Sequence, residues 1–335
     1  MNQLVRKSFL LSLAFLLCVE LVLRLALPKA FTDNFYYGLA PSQGFEESVS
    51  GMVSTIPSIA RDFHRQTFSR TPTSGVFRII ILGDSVEYWS AVGLHVLQDT
   101  YPLRLQQELK ARGMECECIN LAVTGYGSLK NEALFQQVLQ YQPGLIILKL
   151  NTINEGTDEA ALLKADDFRS WKSRNWLQRT FLVSAVSILK EKFLTQKLLG
   201  NAILAGARNP SLRSTGSGPN SVVPLNERQL GTVRRCMEKA REKGVPVLLV
   251  CQAFREETVE VGAGAGDRGL EQLAGRVTPK EAEIFLMKSV LQPYPPNRVF
   301  ADHVHLTPFG HELMARELAV RIIQLNGVAE GKKSR

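Results

Sequence analysis

Phe77-Arg78-Ile79-Ile80-Ile81-Leu82-Gly83-Asp84-Ser85 is the stretch that decides how this chain folds. From Phe77 to Leu82 it is apolar except for Arg78, and it lacks the alternation of a half-exposed strand. A continuous run of this kind suits a parallel strand covered on both faces. Gly83-Asp84-Ser85 then leaves that strand at its carboxyl end, where open α/β sheets bind their ligands.

The pattern repeats downstream. Asp99 is expected to cap a helix with Leu105 and Leu109 on one face and Gly113 as its stop. Cys116 to Val123 reads as a second strand. Ser128 opens a helix faced by Leu134, Phe135, Val138 and Leu139, Pro143-Gly144 ends it, and Leu145 to Leu150 is a third strand. This alternation predicts a parallel α/β sheet. An insertion at about 156–224 interrupts it. Within the insertion, Trp176 to Ala205 is expected to be helical, as a lid, a membrane-surface helix or, most plainly, a helix packed on the core. Arg208 to Asn220 is loop-like in its Gly, Ser and Pro content. A polar helix at Asn226–Lys243, a stop at Gly244 and a strand at Val245–Cys251 resume the pattern. Gly262–Gly269 lacks the preceding strand and the Gly-Lys-Ser/Thr of a phosphate cradle and reads as a turn. Thr307-Pro308 open the last helix, striped by Met314, Leu318, Ile322 and Leu325.

At the amino end, Arg6 and Lys7 precede an apolar run from Phe9 to Leu27, close to the roughly 20 residues a bilayer core requires. The run is either a cleaved signal or a retained anchor. No small-x-small cleavage site follows it, which favours the anchor. Glu20 and Arg24 inside it would each cost roughly 2.5–3.5 kcal/mol at mid-span, but their i,i+4 spacing lets them pair. The flanking positive charge predicts a cytoplasmic N-terminus with the bulk of the chain outside, periplasmic or extracellular. The expected organisation is an anchor at 1–30, a linker at 31–75, one domain at 76–326 and a polar tail at 327–335. The net charge of +8 is spread along the chain without aromatic-basic interleaving, so no nucleic-acid partner is expected. The five cysteines lack the spacing of a four-ligand zinc site and read as buried free thiols.

Four segments distant in sequence should converge on one sheet edge: Ser85, Gly125, Asn154, and Asp302 with His305. A serine beside an Asp-x-x-His unit supplies a nucleophile, a base and a carboxylate to orient the base. The Gly-x-Ser-x-Gly elbow of the α/β-hydrolases is absent, since Glu stands at position 87.

In these residues the chain resembles the SGNH (GDSL-like) hydrolase superfamily. The matching blocks are Ile81-Leu-Gly-Asp-Ser85, Asn120 through Gly127, Pro143 through Glu155, and Asp302-His-Val-His305-Leu-Thr-Pro-Phe-Gly310-His311, with Asp99-Thr-Tyr-Pro102 as a further recurring segment. The resemblance implies a flavodoxin-like three-layer α/β/α sandwich with a mostly parallel sheet. It implies catalysis by Ser85, His305 and Asp302, with the Ser85 N–H, the Gly125 N–H and the Asn154 amide as oxyanion donors. Asn151 is the alternative to Asn154. His303 and His311 lack the spacing of the base. The family usually carries a small polar residue where Glu87 stands, so this carboxylate is expected near the nucleophile, where it would discourage anionic substrates or raise the histidine pKa. The implied activity is hydrolysis of an acyl ester, such as an O-acetyl group on a cell-surface glycan, without metal or organic cofactor. Acyl transfer by the same triad, an inactive scaffold of envelope assembly, and a lipase or thioesterase using 176–205 as a lid are the alternatives.

Overall fold

The computed structural model describes residues 3–26, 45–55, 63–88, 100–150, 227–258 and 282–333. The helix α1 (Gln3–Ala26) belongs to one compact unit of the chain, and the sheets belong to another. Strands β1 (Phe45–Glu47), β2 (Met52–Thr55) and β3 (Thr67–Ser69) form a small antiparallel sheet in order β1-β2-β3. The main sheet holds β4 (Phe77–Leu82), β5 (Cys116–Asn120), β6 (Leu145–Leu150), β7 (Val247–Cys251) and β8 (Glu283–Leu286), in order β5-β4-β6-β7-β8. Every pairing in it is parallel. Counted from β4, that order is 2-1-3-4-5, the flavodoxin-like arrangement, whose switch point lies between β4 and β6.

Both faces of the sheet are covered, which is why β4 and β6 carry apolar side chains in both directions. Ile80, Leu82, Ile146, Leu148 and Leu249 pack under Leu134, Phe135 and Val138, and under Leu230, Val233 and Met237. Those residues lie on the helices at Ser128–Val138 and Glu227–Lys243. Ile79, Ile81, Ile147, Leu248 and Val250 pack against Leu105 and Leu109 of the helix Tyr101–Ala111. The same face takes Met314, Leu318 and Ile322 of the final helix, Pro308–Lys333. Burying each such Leu, Ile or Val contributes about 1.5–3 kcal/mol.

The helix ends have local causes. Thr307 caps the final helix, its Oγ1 accepting the Gly310 N–H at 3.1 Å. A Cβ on Gly310 would sit 2.4 Å from the Val299 carbonyl oxygen, so only glycine allows this approach. The Tyr101–Ala111 helix is capped at Thr100, one position after the expected Asp99, with Pro102 in its first turn.

The expected linker at 31–75 is corrected in its second half. Its strands β1–β3 are tied to the main sheet by Arg78, the single charge of β4. The Arg78 guanidinium donates to Glu117 Oε1 at 2.7 Å, to the Tyr141 carbonyl at 2.5 Å and to the Ser69 carbonyl at 2.7 Å. Phe45, Phe63, Phe68 and Tyr141 stack around this joint. Among the described residues no helix is long and apolar enough to cross a membrane. α1 carries Glu20 and Arg24 within its apolar run. All five cysteines are free thiols, and Cys116, Cys236 and Cys251 are buried. The insertion at 156–224, including Trp176 to Ala205, and the glycine-rich Gly262–Gly269 lie outside the described residues.

Candidate active site

β4 ends at the switch point, and Ser85 starts a single helical turn, Ser85–Tyr88, just beyond it. Asp84 shapes that turn: its Oδ1 accepts the Val86 N–H at 3.0 Å. On the other side, a bridge between Phe300 and Leu306 closes the loop that carries Asp302 and His305. Two further bonds fix this loop, from the Ala301 N–H to the His305 carbonyl at 2.8 Å and from the Arg255 N–H to the His303 carbonyl at 2.9 Å.

The structure joins all three predicted catalytic side chains. His305 Nε2 lies 2.9 Å from Ser85 Oγ, and His305 Nδ1 lies 2.8 Å from Asp302 Oδ2. Asp302 Oδ1 is separately occupied by the N–H groups of Val304 and His305, at 2.8 and 2.7 Å. The carboxylate is therefore locked, with one oxygen left for the imidazole. Burial works against its charge, but the hydrogen bonds from the His305 ring and from the His305 and Val304 N–H groups outweigh it. The Asp302 pKa is held well below the usual carboxylate range. An ionised Asp302 assigns the hydrogen to Nδ1 and leaves the Nε2 lone pair facing the serine hydroxyl. His303 is exposed, with Nδ1 4.0 Å from Asp302 Oδ1. His311 is fully buried, and its Nδ1 accepts the Tyr101 N–H at 3.2 Å, so it caps the neighbouring helix.

The expectation for Glu87 is corrected. Its carboxylate is completely buried and packs against Gly83, where an added Cβ would lie 2.2 Å from Glu87 Oε2. Oε2 accepts the Asp84 N–H at 2.9 Å, and Oε1 accepts the Tyr101 hydroxyl at 3.0 Å. Lys149 Nζ, also buried, lies 2.5 Å from Asp84 Oδ1 and 3.4 Å from Glu87 Oε2. One ammonium serves two carboxylates and stands closer to Asp84. Burial is the main force on Glu87 and pushes its pKa up to about 7 against the pull of Lys149. The same burial, with Glu87 alongside, raises the Tyr101 phenol well above its ordinary value.

Gly125 sits in the loop after β5 at φ +77°, a conformation that favours glycine. This loop is tied to the nucleophile turn by the Val123 N–H, 3.4 Å from the Gly83 carbonyl, and by Asn120. The Asn120 side chain donates to the Glu87 carbonyl at 2.8 Å and accepts the Ala122 N–H at 3.1 Å. Asn154 and its alternative Asn151 lie outside the described residues.

Sequence reasoning missed Lys149, although a lysine inside an otherwise apolar strand signals a buried partner. It also missed Gln252, which follows β7 at the same sheet edge and is buried with neither side-chain amide atom hydrogen-bonded among the described residues.

No family model and no curated protein matches the chain. Solved structures are similar to it at low identity. An acetyl xylan esterase has 15% identity and a TM-score of 0.45, over 73% of this chain and 100% of that one. A carbohydrate acetylesterase family member from Sinorhizobium meliloti has 15% and 0.41, over 75% and 100%. A GDSL-like lipase from Bacteroides thetaiotaomicron has 13% and 0.39, over 76% and 91%. The chain's likeness to SGNH (GDSL-like) hydrolases thus rests on its own ordered blocks and on the Ser85–His305–Asp302 relay they assemble.

Proposed function

We propose that this protein is a serine esterase of SGNH type that cleaves an acyl ester, with an O-acetyl group on a cell-surface glycan as the substrate class. The observation that carries the reading is the unbroken relay from Ser85 Oγ through His305 to Asp302. Ser85 Oγ attacks the carbonyl carbon while His305 Nε2 takes the hydroxyl proton. The carbonyl oxygen becomes an oxyanion that meets the Ser85 N–H, the Gly125 N–H and the amide of Asn154. Each such donor is worth roughly 2.7–4 kcal/mol in the transition state. The intermediate expels the alcohol, which leaves with the proton from His305, and Ser85 stays acylated. Water then adds by the same route, releasing the acid and the free serine. Asp302 keeps its charge throughout and stabilises the imidazolium. A sugar hydroxyl in place of that water would make the reaction an acyl transfer.

The inactive-scaffold alternative draws on Glu87 and on Ile153-Asn154-Glu155, where the family usually reads Gly-Asn-Asp; the burial of the Glu87 carboxylate against Gly83 weakens the first motive, and the second lies outside the described residues. The localisation proposed is a single-pass membrane protein with its catalytic domain outside the cytoplasm. Support comes from α1, where Leu11, Phe15, Leu16, Leu17, Leu21, Val22 and Leu25 are exposed around the helix. These exposed apolar side chains favour an apolar surrounding, although Glu20 and Arg24 interrupt the run. Arg6 and Lys7 fit a cytoplasmic N-terminus.

The deciding experiment compares the protein with Ser85→Ala on p-nitrophenyl acetate and on an acetylated glycan. Ser85-dependent release of acetate is expected, and equal turnover by both proteins would remove the proposal. Alkaline extraction of membranes tests the anchor: the full chain should stay in the pellet, and its release would refute membrane insertion.

A further inference from the structure

Three buried ionic side chains lie directly beneath the nucleophile and take no part in the relay. Asp84 precedes Ser85 by one residue and Glu87 follows it by two. A single ammonium, Lys149 Nζ, reaches both carboxylates. The same Glu87 carboxylate accepts the Asp84 N–H, so the turn that presents Ser85 is closed on itself. Its other oxygen holds the Tyr101 hydroxyl. The Tyr101 N–H is in turn held by His311, on the first turn of the helix that follows the Asp302–His305 loop. A continuous polar chain thus runs from the nucleophile turn, through the Tyr101–Ala111 helix, to the element that follows the base.

The energetics say what such a chain is for. Each buried ion loses several kcal/mol of hydration, and replacing a buried pair by well-packed apolar residues is often neutral or stabilising. As a device for stability the cluster is poor. As a device for geometry it is strong: removing Lys149 leaves two buried carboxylates without a counter-charge, and removing the Glu87 carboxylate takes away the acceptor shared by the Asp84 N–H and the Tyr101 hydroxyl. Rate is sensitive to such geometry: a misplacement of about 1 Å at a reacting group costs on the order of a hundredfold.

We propose that Glu87 and Lys149 are a positioning pair, which holds the Ser85 turn in register with His305 through Asp84 on one side and Tyr101–His311 on the other. The inference rests on the esterase reading of the Ser85 site. The titratable and charged groups facing Glu87 are Asp84 on its own turn, Lys149 on β6 and Tyr101 on the neighbouring helix, with His311 behind Tyr101.

The test uses the full chain with Glu87→Gln, Lys149→Met, the double variant and Tyr101→Phe. Thermal melting, kcat and KM on p-nitrophenyl acetate, and the rate at which a fluorophosphonate labels Ser85 are measured for each. Expected are losses of roughly tenfold or more in kcat and labelling rate for each single Glu87 or Lys149 variant, with KM within about twofold. The double variant should lose no more than the worse single one, as members of one unit do. Full kcat and labelling rate in folded single variants would overturn the pairing, and so would losses that multiply in the double. Tyr101→Phe deletes one hydroxyl and keeps the ring, so it decides the matter if the charge variants do not fold. It should slow labelling at least about twofold, and an unchanged rate would count against the proposal. If the wild type is labelled at Ser85 yet leaves the acetyl ester intact, the esterase reading falls and the labelling series alone judges the pair. A wild-type Ser85 that is not labelled overturns both.

Discussion

Asn120 Nδ2 donates to the Glu87 carbonyl oxygen at 2.8 Å, fastening the end of the nucleophile turn to the start of the loop that carries Gly125. Its Oδ1 meanwhile accepts the Ala122 N–H. The nucleophile and a proposed oxyanion donor are therefore held by one side chain. Asn120→Ala removes both bonds and leaves a buried carbonyl and a buried N–H unmatched. The expected cost is roughly 1–3 kcal/mol of stability per orphaned group, together with a fall in kcat. Denaturant titration alongside ester turnover checks it, and a neutral variant would deny the coupling.

Glu87 makes stability depend on pH in an unusual direction for a carboxylate. Its folded pKa is raised, so its contribution is fully present below the ordinary value of 4.5 and is lost as pH rises through about 7. Glu87→Gln cannot ionise. The wild type should therefore lose stability relative to Glu87→Gln between those limits, and parallel stability curves would contradict the burial effect.

Asp302 has the opposite sign. Its folded pKa is depressed, so its contribution is present above the unfolded-state value near 3.9 and fades as pH falls toward the folded value. Below about pH 4 the wild type should destabilise faster than Asp302→Asn. Above that range Asp302→Asn should be the less stable protein, and should turn over ester on the order of ten-thousandfold more slowly because the imidazole adopts the wrong tautomer.

Gln252 buries an amide whose oxygen and nitrogen find no partner among the described residues. Gln252→Met keeps much of the shape and removes the unmatched groups, so a gain of roughly 1–3 kcal/mol in unfolding free energy is expected. A loss of stability would mean that the amide is satisfied in solution.

Gly310→Ala would drive a methyl group into the Val299 carbonyl, 2.4 Å from the added carbon. A loss of roughly 1–3 kcal/mol is expected in a thermal melt.

How far the sequence carried the reading varies with the kind of residue. Phe77–Leu82 and Leu145–Leu150 match the expected strands because an unbroken apolar run with a turn at its end has one economical use. The second strand, Cys116–Asn120, is shorter than the apolar run to Val123 suggests. Leu121 to Val123 are apolar, and the Leu121 and Val123 N–H groups still reach Ile81 and Gly83, but on the open edge the Asn120 side chain turns back onto the Ala122 N–H and the regular strand ends at Asn120. β8 escaped notice because it is a short, half-buried edge strand with a glutamate in it. β1–β3 escaped because they hold together through Arg78 and an aromatic cluster that no local pattern announces. In the site, Ser85, Asp302 and His305 were legible from motif and spacing. Glu87 and Lys149 were visible only as charges in apolar company. Their pairing joins positions far apart in the chain, which sequence periodicity does not encode.

Ser85 and the nitrogen that activates it are 220 positions apart in the chain. The nucleophile follows the first strand of the main sheet, and its base arrives just before the last helix. A ribosome making this protein therefore releases its serine long before its histidine, and the half-made chain carries a hydroxyl with nothing to deprotonate it. The proposed relay is incomplete until synthesis has passed His305.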